Sequence, residues 1–404
     1  MSITPTVVLF ADDPEMQAIQ DLLKDCSVPF VHAIGKDGRR VTPANAYEAA
    51  GATPPLRCVQ CGNEVNLGDP HGCSDPQSDR HTLPTLILVE GDIPSTANFF
   101  GQEPIRIDHH RPGDPGFTKL PNEFLPGSSL GQVLMLLARM GKLDGLPPGS
   151  ELWQAVREDA CECVFLPYKN PINRGVYVEV GWWYIGFRTT YGEELVHAVS
   201  RDHVLAAAGD HCPAAAYRGE CPGVDPDALM FWRAETRAKF QKRSVSDVLA
   251  DVDTARAALD GADARGLQLW RGFCIAGYIH GGGGRMNTEG DYLDPEVAYV
   301  EAEKLCGGAL GYENAYGICP IGRSETVLTI PTTIHELPEA ALRTGVAYET
   351  TVTERDGRRK LVLGGHTTPR LVELWLREQK LAGRETYGNP TRGYAGAYLK
   401  GESK

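Results

Sequence analysis

The chain has 404 residues, more than one hydrophobic core usually serves, so two domains are expected. Its formal net charge of −13 argues against a surface that grips long duplex nucleic acid, which needs a strong cationic footprint, but leaves small anionic substrates carried by a metal open. No apolar run is long enough for a membrane span, the N-terminus lacks a signal-peptide pattern, and an odd count of 11 cysteines suits a reducing compartment, so a cytoplasmic protein without membrane association is expected.

Val7–Phe10 reads as a buried strand that stops at Ala11-Asp12-Asp13-Pro14. Met16, Ile19, Leu22 and Leu23 then recur at helical spacing, and Val28–Ile34 reads as a second strand. Strand, helix and strand with short links predict a βαβ unit of a parallel sheet, in which ligands gather at the carboxyl ends of strands. Asp12 and Asp13 fall on that rim as candidate metal ligands. Their alternative role is an N-cap with a favourable first-turn charge.

Residues 35–82 read as an insertion. Cys58-Val-Gln-Cys61-Gly62 has knuckle spacing, and two of His71, Cys73 and His81 can complete a tetrahedral structural zinc site. Cys58 and Cys61 are the firmest ligands; His71 and Cys73 are taken as the other two, with the fourth position open. A redox pair or reduced thiols are the alternatives.

Leu83–Glu90 is a further apolar strand, ending in Gly91-Asp92. Ile105 and Ile107 then end a short strand at Asp108-His109-His110-Arg111, and Pro112, Gly113, Pro115 and Gly116 force a loop. A carboxylate and two imidazoles at a strand's carboxyl end can ligate a divalent metal or act as an acid–base pair. Leu125-Pro-Gly-Ser-Ser-Leu follows, with Ser128 or Ser129 capping a helix whose buried stripe is Leu130, Val133, Leu134 and Leu137.

Ile107-Asp-His-His-Arg-Pro112, followed by this small-hydroxyl turn and helix, resembles the signature of the DHH phosphoesterases. The resemblance implies manganese or magnesium, one or two ions, held with Asp108 as a ligand. His109 and His110 would be a ligand and a leaving-group or phosphate contact, in either order. It also implies a metal-binding acid at the preceding strand end, where Glu90 or Asp92 stands. Family members carry a His and two spaced aspartates after the first strand, and this chain departs from that pattern with Asp12-Asp13 and no His.

Residues 151–200 do not continue the βαβ pattern. Tyr177–Phe187 is aromatic and β-rich, reading as a hairpin in a second insertion, with Trp182 and Trp183 assigned to core or interface rather than to base stacking. The small-residue run from Val204 delivers Asp210 and His211, then Tyr217 and Arg218. It is similar to the family's last metal motif, which makes Asp210 a metal ligand and Arg218 a phosphate contact; a satisfied buried polar network is the alternative. Asp225-Pro226-Asp227 opens a long helix that restarts at Ser244 and ends near Leu259, before a boundary at 261–266.

In the C-terminal part, His280-Gly281-Gly282-Gly283-Gly284-Arg285 is a loop whose bare backbone can approach an anion. His280, Gly282, Gly283 and Arg285 are its candidate phosphate contacts. Val346–Glu354 and Lys360–Leu363 predict a hairpin around Asp356-Gly357, Leu371–Leu376 a helix, and residues 388–404 a partly mobile tail.

The expected fold is thus α/β: a parallel-sheet DHH-type domain over residues 1–224 with a zinc-knuckle insertion, a helical linker over 225–265, and a smaller α/β substrate-binding domain over 266–404. The expected function is metal-dependent hydrolysis of a small phosphate ester or short nucleotide. The alternative is a non-catalytic nucleotide-binding or protein-interaction member of the same fold, and a zinc-stabilised interaction module is a third reading. A homo-oligomer stays open.

Overall fold

A computed structural model describes residues 6–10, 13–41, 46–53, 55–57, 64–65, 86–92, 104–143, 150, 152, 154–155, 161–167, 183–189, 192–267, 325–353 and 357–399. The protein is mixed α/β and divides into two compact units, one of residues 1–212 with 219–242 and the other of 213–218 with 243–404. The helical stretch expected as a linker is therefore shared, its first helix belonging to the first unit and its second to the other.

The first unit is built on a five-stranded sheet. Its strands are β1 (Thr6–Leu9), β2 (Phe30–Ile34) and β3 (Gly51–Thr53), then, past the two-residue strands β4 (Leu56–Arg57) and β5 (Glu64–Val65), β6 (Leu86–Val89) and β7 (Ile105–Ile107). The order is β3-β2-β1-β6-β7. β1 pairs parallel with β2 and β6, and β6 parallel with β7, while β3 closes the edge antiparallel. Val7, Val8, Leu9 and all of Leu86–Val89 are buried, the continuous apolar run of strands covered on both faces. From β1 the chain moves to one side through β2, and from β6 to the other through β7. The point between β1 and β6 is a topological switch, where open parallel sheets receive ligands beyond the strands' carboxyl ends. Register levels Leu9 with Val89 and Val89 with Ile107, so the residues after them share one rim.

Helix α1 (Pro14–Asp25) follows β1, α2 (Phe124–Gly127) and α3 (Ser129–Arg139) follow β7, and α4 (Arg201–His211) comes after the insertion. The cap of α3 is Ser128, whose hydroxyl accepts from Gly131 N at 3.0 Å, and Leu130, Val133, Leu134 and Leu137 are all buried. Val204, Leu205, Ala206, Ala207, Ala208, Gly209 and His211 of α4 are buried on every face, which marks a helix inside the unit rather than on its surface. Its small residues let α1, α2, α3 and α5 (Pro226–Gln241) pack around it.

The segment expected as a second insertion contains a three-stranded antiparallel sheet of β8 (Glu162–Pro167), β9 (Trp183–Thr189) and β10 (Gly192–Val199). Trp183 is buried, packs edge-on against Phe124 and donates its indole N–H to the Pro222 carbonyl at 3.2 Å, so it is a core residue. Trp182 lies outside the described residues. Within the segment expected to hold a zinc knuckle, β4 and β5 pair antiparallel. The proposed ligands Cys58, Cys61, His71 and Cys73 lie outside the described residues.

The second unit carries a six-stranded sheet of β11 (Asp263–Leu267), β12 (Glu325–Ile330), β13 (Ala347–Thr353), β14 (Arg359–Gly365), β15 (Glu385–Asn389) and β16 (Tyr394–Tyr398), in the order β11-β12-β13-β14-β16-β15. Only β12 and β13 run parallel within that sheet. Helices α6 (Val245–Asp260) and α7 (Leu337–Thr344) share one core cluster with Ile330 and Tyr348; α8 (Pro369–Leu381) places Trp375 in another with Leu363, Ala395 and Ala397. The tail predicted as partly mobile is thus corrected: residues 394–398 form β16, which pairs with both β14 and β15. Ala395 and Ala397 alternate into the core, and such small side chains gave the sequence little apolar contrast.

Candidate metal centre

The shared rim of the parallel strands collects acids and imidazoles. β1 ends just before Asp13, whose side chain accepts from Met16 N at 2.9 Å and so caps α1. β6 runs into Glu90, a buried residue at φ 58°, a backbone region that costs a non-glycine residue about 1–3 kcal/mol and clusters at functional sites. β7 runs into Asp108, His109 and His110. The turn after them closes tightly: Gly116 N donates to the Asp108 carbonyl at 2.9 Å, and a Cβ on Gly116 would stand 2.6 Å from His109 Cβ and 1.9 Å from the Gly127 carbonyl oxygen. Gln132 of α3 donates to the carbonyls of Asp108 and Gly127, both at 3.1 Å, tying helix to loop. α4 supplies Asp210 and His211 from its last turn, where Arg233 of α5 donates to the Gly209 carbonyl at 2.8 Å. That cation offsets the negative end of the helix dipole beside Asp210.

Glu90, His109, His110 and Asp210 each bring one ligand atom into a group lying within 4.8 Å of one another. His109 is fully buried, and its Nε2 lies 2.9 Å from Asp210 Oδ2. His110 is partly exposed and stacks at a tilt on His109, with ring centroids 4.4 Å apart. His211 closes the floor, its ring edge-on to His109 at 5.2 Å and its Nε2 3.2 Å from the Lys119 carbonyl oxygen.

The charge balance of this group asks for a cation. Burial, then Asp13 and Asp210, push the Glu90 carboxyl up to about 8. Burial, then Asp210 and Glu90, hold Glu15 well above the carboxylate range, and burial with Asp210 beside it brings Asp13 to about 6. Glu15 Oε1 accepts from Leu130 N at 3.0 Å, the first turn of α3. Glu15 and Glu90 approach closely enough for a shared proton, yet neither Glu90 oxygen meets an N–H or O–H donor in hydrogen-bond geometry. Keeping such a buried carboxyl ionised without a counter-charge costs several kcal/mol. A divalent ion among Glu90, His109, His110 and Asp210 would offset that cost, and mixed imidazole and carboxylate donors suit such ions.

Asp108 behaves differently. Its Oδ1 accepts from the backbone N–H groups of His109 at 2.7 Å and His110 at 3.1 Å and lies 2.7 Å from His110 Nδ1. Its Oδ2 accepts from the Tyr47 hydroxyl at 2.7 Å. Burial opposes its charge, but the His110 and Tyr47 hydrogen bonds bring its pKa down to about 2. Burial and Asp108 in turn push the Tyr47 hydroxyl upward, so it remains a donor.

Of the metal ligands expected from sequence, His109 and Asp210 are in the four-residue group, Asp13 lies beside it, and Asp108 lies outside it with its oxygens taken by protein donors. Asp12 lies outside the described residues. His110, expected as a ligand or substrate contact, is in the group. Arg218 belongs to the second unit, where its guanidinium donates to the Thr367 carbonyl. His280, Gly282, Gly283 and Arg285 lie outside the described residues. Of the two strand-end acids, Glu90 joins the group, while Asp92 pairs with Arg106 at 2.8 Å. Tyr47 carried no signal in the sequence, since it reaches the rim only through packing. Glu15 stands two residues after Asp13 in the first turn of α1, and that spacing of two acids after the first strand was the signal that could have found it. Comparison with protein-family models, with curated proteins and with solved structures gives no match to this chain.

Proposed function

We propose that the chain is a divalent-metal-dependent hydrolase of the DHH type, acting on a small phosphate ester or short nucleotide with Mn²⁺ or Mg²⁺. One observation carries the reading: Glu90, His109, His110 and Asp210 converge from two strand ends and a buried helix on the carboxyl rim of a parallel sheet. A bound divalent cation lowers the pKa of its water and offsets charge developing on phosphoryl oxygens. Glu90, His109 and Asp210 would hold the ion from the buried side. His110, the more exposed imidazole, would complete the set from the open side, where substrate can reach the ion. The missing first-strand His is met in part by Asp13 and Glu15, which bring two acids of α1 to the group's edge.

The test is release of phosphate or nucleotide from a panel of dinucleotides and phosphate monoesters, with Mn²⁺ or Mg²⁺ supplied. Wild type should turn over at least one class, and Glu90→Gln or Asp210→Asn should lower kcat/KM by roughly 100-fold or more, the scale of several kcal/mol of lost charge stabilisation. A wild type that is inert with every metal yet binds a nucleotide would leave the non-catalytic alternative in its place.

A further inference from the structure

The four contacts on Asp108, three of them assigned donors, give it a role other than ligation. An ionised carboxylate offers about four lone-pair positions. Asp108 meets His109 N, His110 N and His110 Nδ1 on one oxygen and the Tyr47 hydroxyl on the other. Glu90, by contrast, meets no such donor on either oxygen. Two acids on one rim are therefore prepared for different partners.

Tyr47 is itself held in place. It comes from the turn Ala46–Glu48, 61 residues before Asp108, and packs against the core that includes Val8, Phe10, Val31 and Leu88. The Arg111 guanidinium, one residue past His110, covers its ring at 3.2 Å from the centroid, a cation–π contact. Arg111 N in turn donates to Asp114 at 2.6 Å, which fixes the loop carrying the guanidinium. Core on one side and guanidinium over the ring leave the hydroxyl one direction, towards Asp108.

We propose that Tyr47 and Asp108 form a positioning relay that fixes the plane of His110 and keeps its proton on Nδ1, so that Nε2 is the nitrogen His110 offers to the ion, and that Asp108 is not a ligand. The inference rests on the metal-dependent reading above. A ligating imidazole whose other nitrogen donates to a carboxylate is fixed in tautomer and orientation, and removing such a support weakens metal binding about 10–100-fold. Here the support has a further tier, because the hydroxyl holds the carboxylate.

Two measurements on the full chain decide it. In ¹⁵N-labelled, metal-free protein with neutral imidazoles, NMR should find His110 protonated on Nδ1 in wild type and in Asp108→Asn, whose amide oxygen still accepts, but a mixture of tautomers in Asp108→Ala. Calorimetry with Mn²⁺ should then show Asp108→Ala weakened about 10–100-fold, Asp108→Asn largely rescued, and Asp210→Asn without measurable binding. Tyr47→Phe keeps the ring and its Arg111 contact but removes one donor from a buried carboxylate, so a several-fold loss of Mn²⁺ affinity in protein that is still fully folded isolates the hydroxyl. Loss of Mn²⁺ in Asp108→Asn as complete as in Asp210→Asn would make Asp108 a ligand and overturn the relay. So would a wild-type His110 protonated on Nε2. A wild type that binds no Mn²⁺ overturns the metal reading instead, and the NMR arm still decides the relay.

Discussion

Glu90 holds a left-handed backbone, and both of its carboxyl oxygens are buried with another acid, Glu15, beside them. Its cost should be visible in the pH dependence of the cation-free protein. A carboxyl whose folded pKa of about 8 lies above its unfolded value binds more protons when folded, so stability should fall as pH rises from about 4.5 through 8 and level off above. Urea denaturation across that range should show a decrease on the order of a few kcal/mol, and saturating Mn²⁺ should reverse the slope. Equal stability at pH 5 and pH 8 without metal would contradict it. Glu90→Gln should raise cation-free stability at pH 8 while losing Mn²⁺, an exchange of function for stability common at strained sites. Asp108 has the opposite sign: its depressed pKa contributes stability above about 4 that is lost as pH falls towards 2. The strand-end acids were legible as residues; that Asp108 meets a hydroxyl donor while Glu90 faces another carboxyl was not, because Tyr47 and Glu15 arrive from distant sequence.

The elements around the site leave little room. On Gly116 even a methyl group would press on the Gly127 carbonyl and on His109 Cβ. Gly116→Ala should cost about 1–3 kcal/mol by overpacking and weaken Mn²⁺ binding by displacing His109, both measurable on one preparation by denaturation and calorimetry. Ser128→Ala removes the acceptor for Gly131 N at the start of α3 and should cost about 1–2 kcal/mol, without removing any member of the candidate ligand group. An unchanged denaturation midpoint would mean that water or Glu15 satisfies the helix start equally well. Amphipathic α3 declared itself in the sequence, since four apolar residues recur on one face. α4 did not declare itself as a helix, because it is buried all round and has no polar face to set the period.

At the level of the whole molecule, all four candidate ligands belong to the first unit. In the second, Glu349 accepts from the Trp375 indole at 2.6 Å and pairs with Arg265 at 3.1 Å, while Arg265 also pairs with Glu378. Trp375→Phe removes one donor from a buried carboxylate and should lower that unit's stability by about 1–3 kcal/mol, while leaving Mn²⁺ affinity unchanged. A matching fall in Mn²⁺ affinity would show that the two units do not act independently. Metal analysis should find about one zinc per chain, lost in Cys58→Ser, if Cys58 and Cys61 form a structural site; a zinc-free protein of the same stability would remove that expectation. No helix among the described residues is long and apolar enough to cross a membrane.

Local sequence by itself determined the strand–helix–strand beginning, the capped helix after the Asp-His-His turn and the chemical types gathered at strand ends, because period, caps and breakers act over a few residues. Tertiary structure alone decided the order β3-β2-β1-β6-β7, which levels Val89 with Ile107 and sets Glu90 beside the imidazoles. It also decided the difference between Glu90 and Asp108. A carboxylate becomes a candidate ligand or a support according to the groups that reach it. On Asp108 the next two residues supply three of them locally, and packing brings the Tyr47 hydroxyl across 61 residues, a separation that no local pattern encodes.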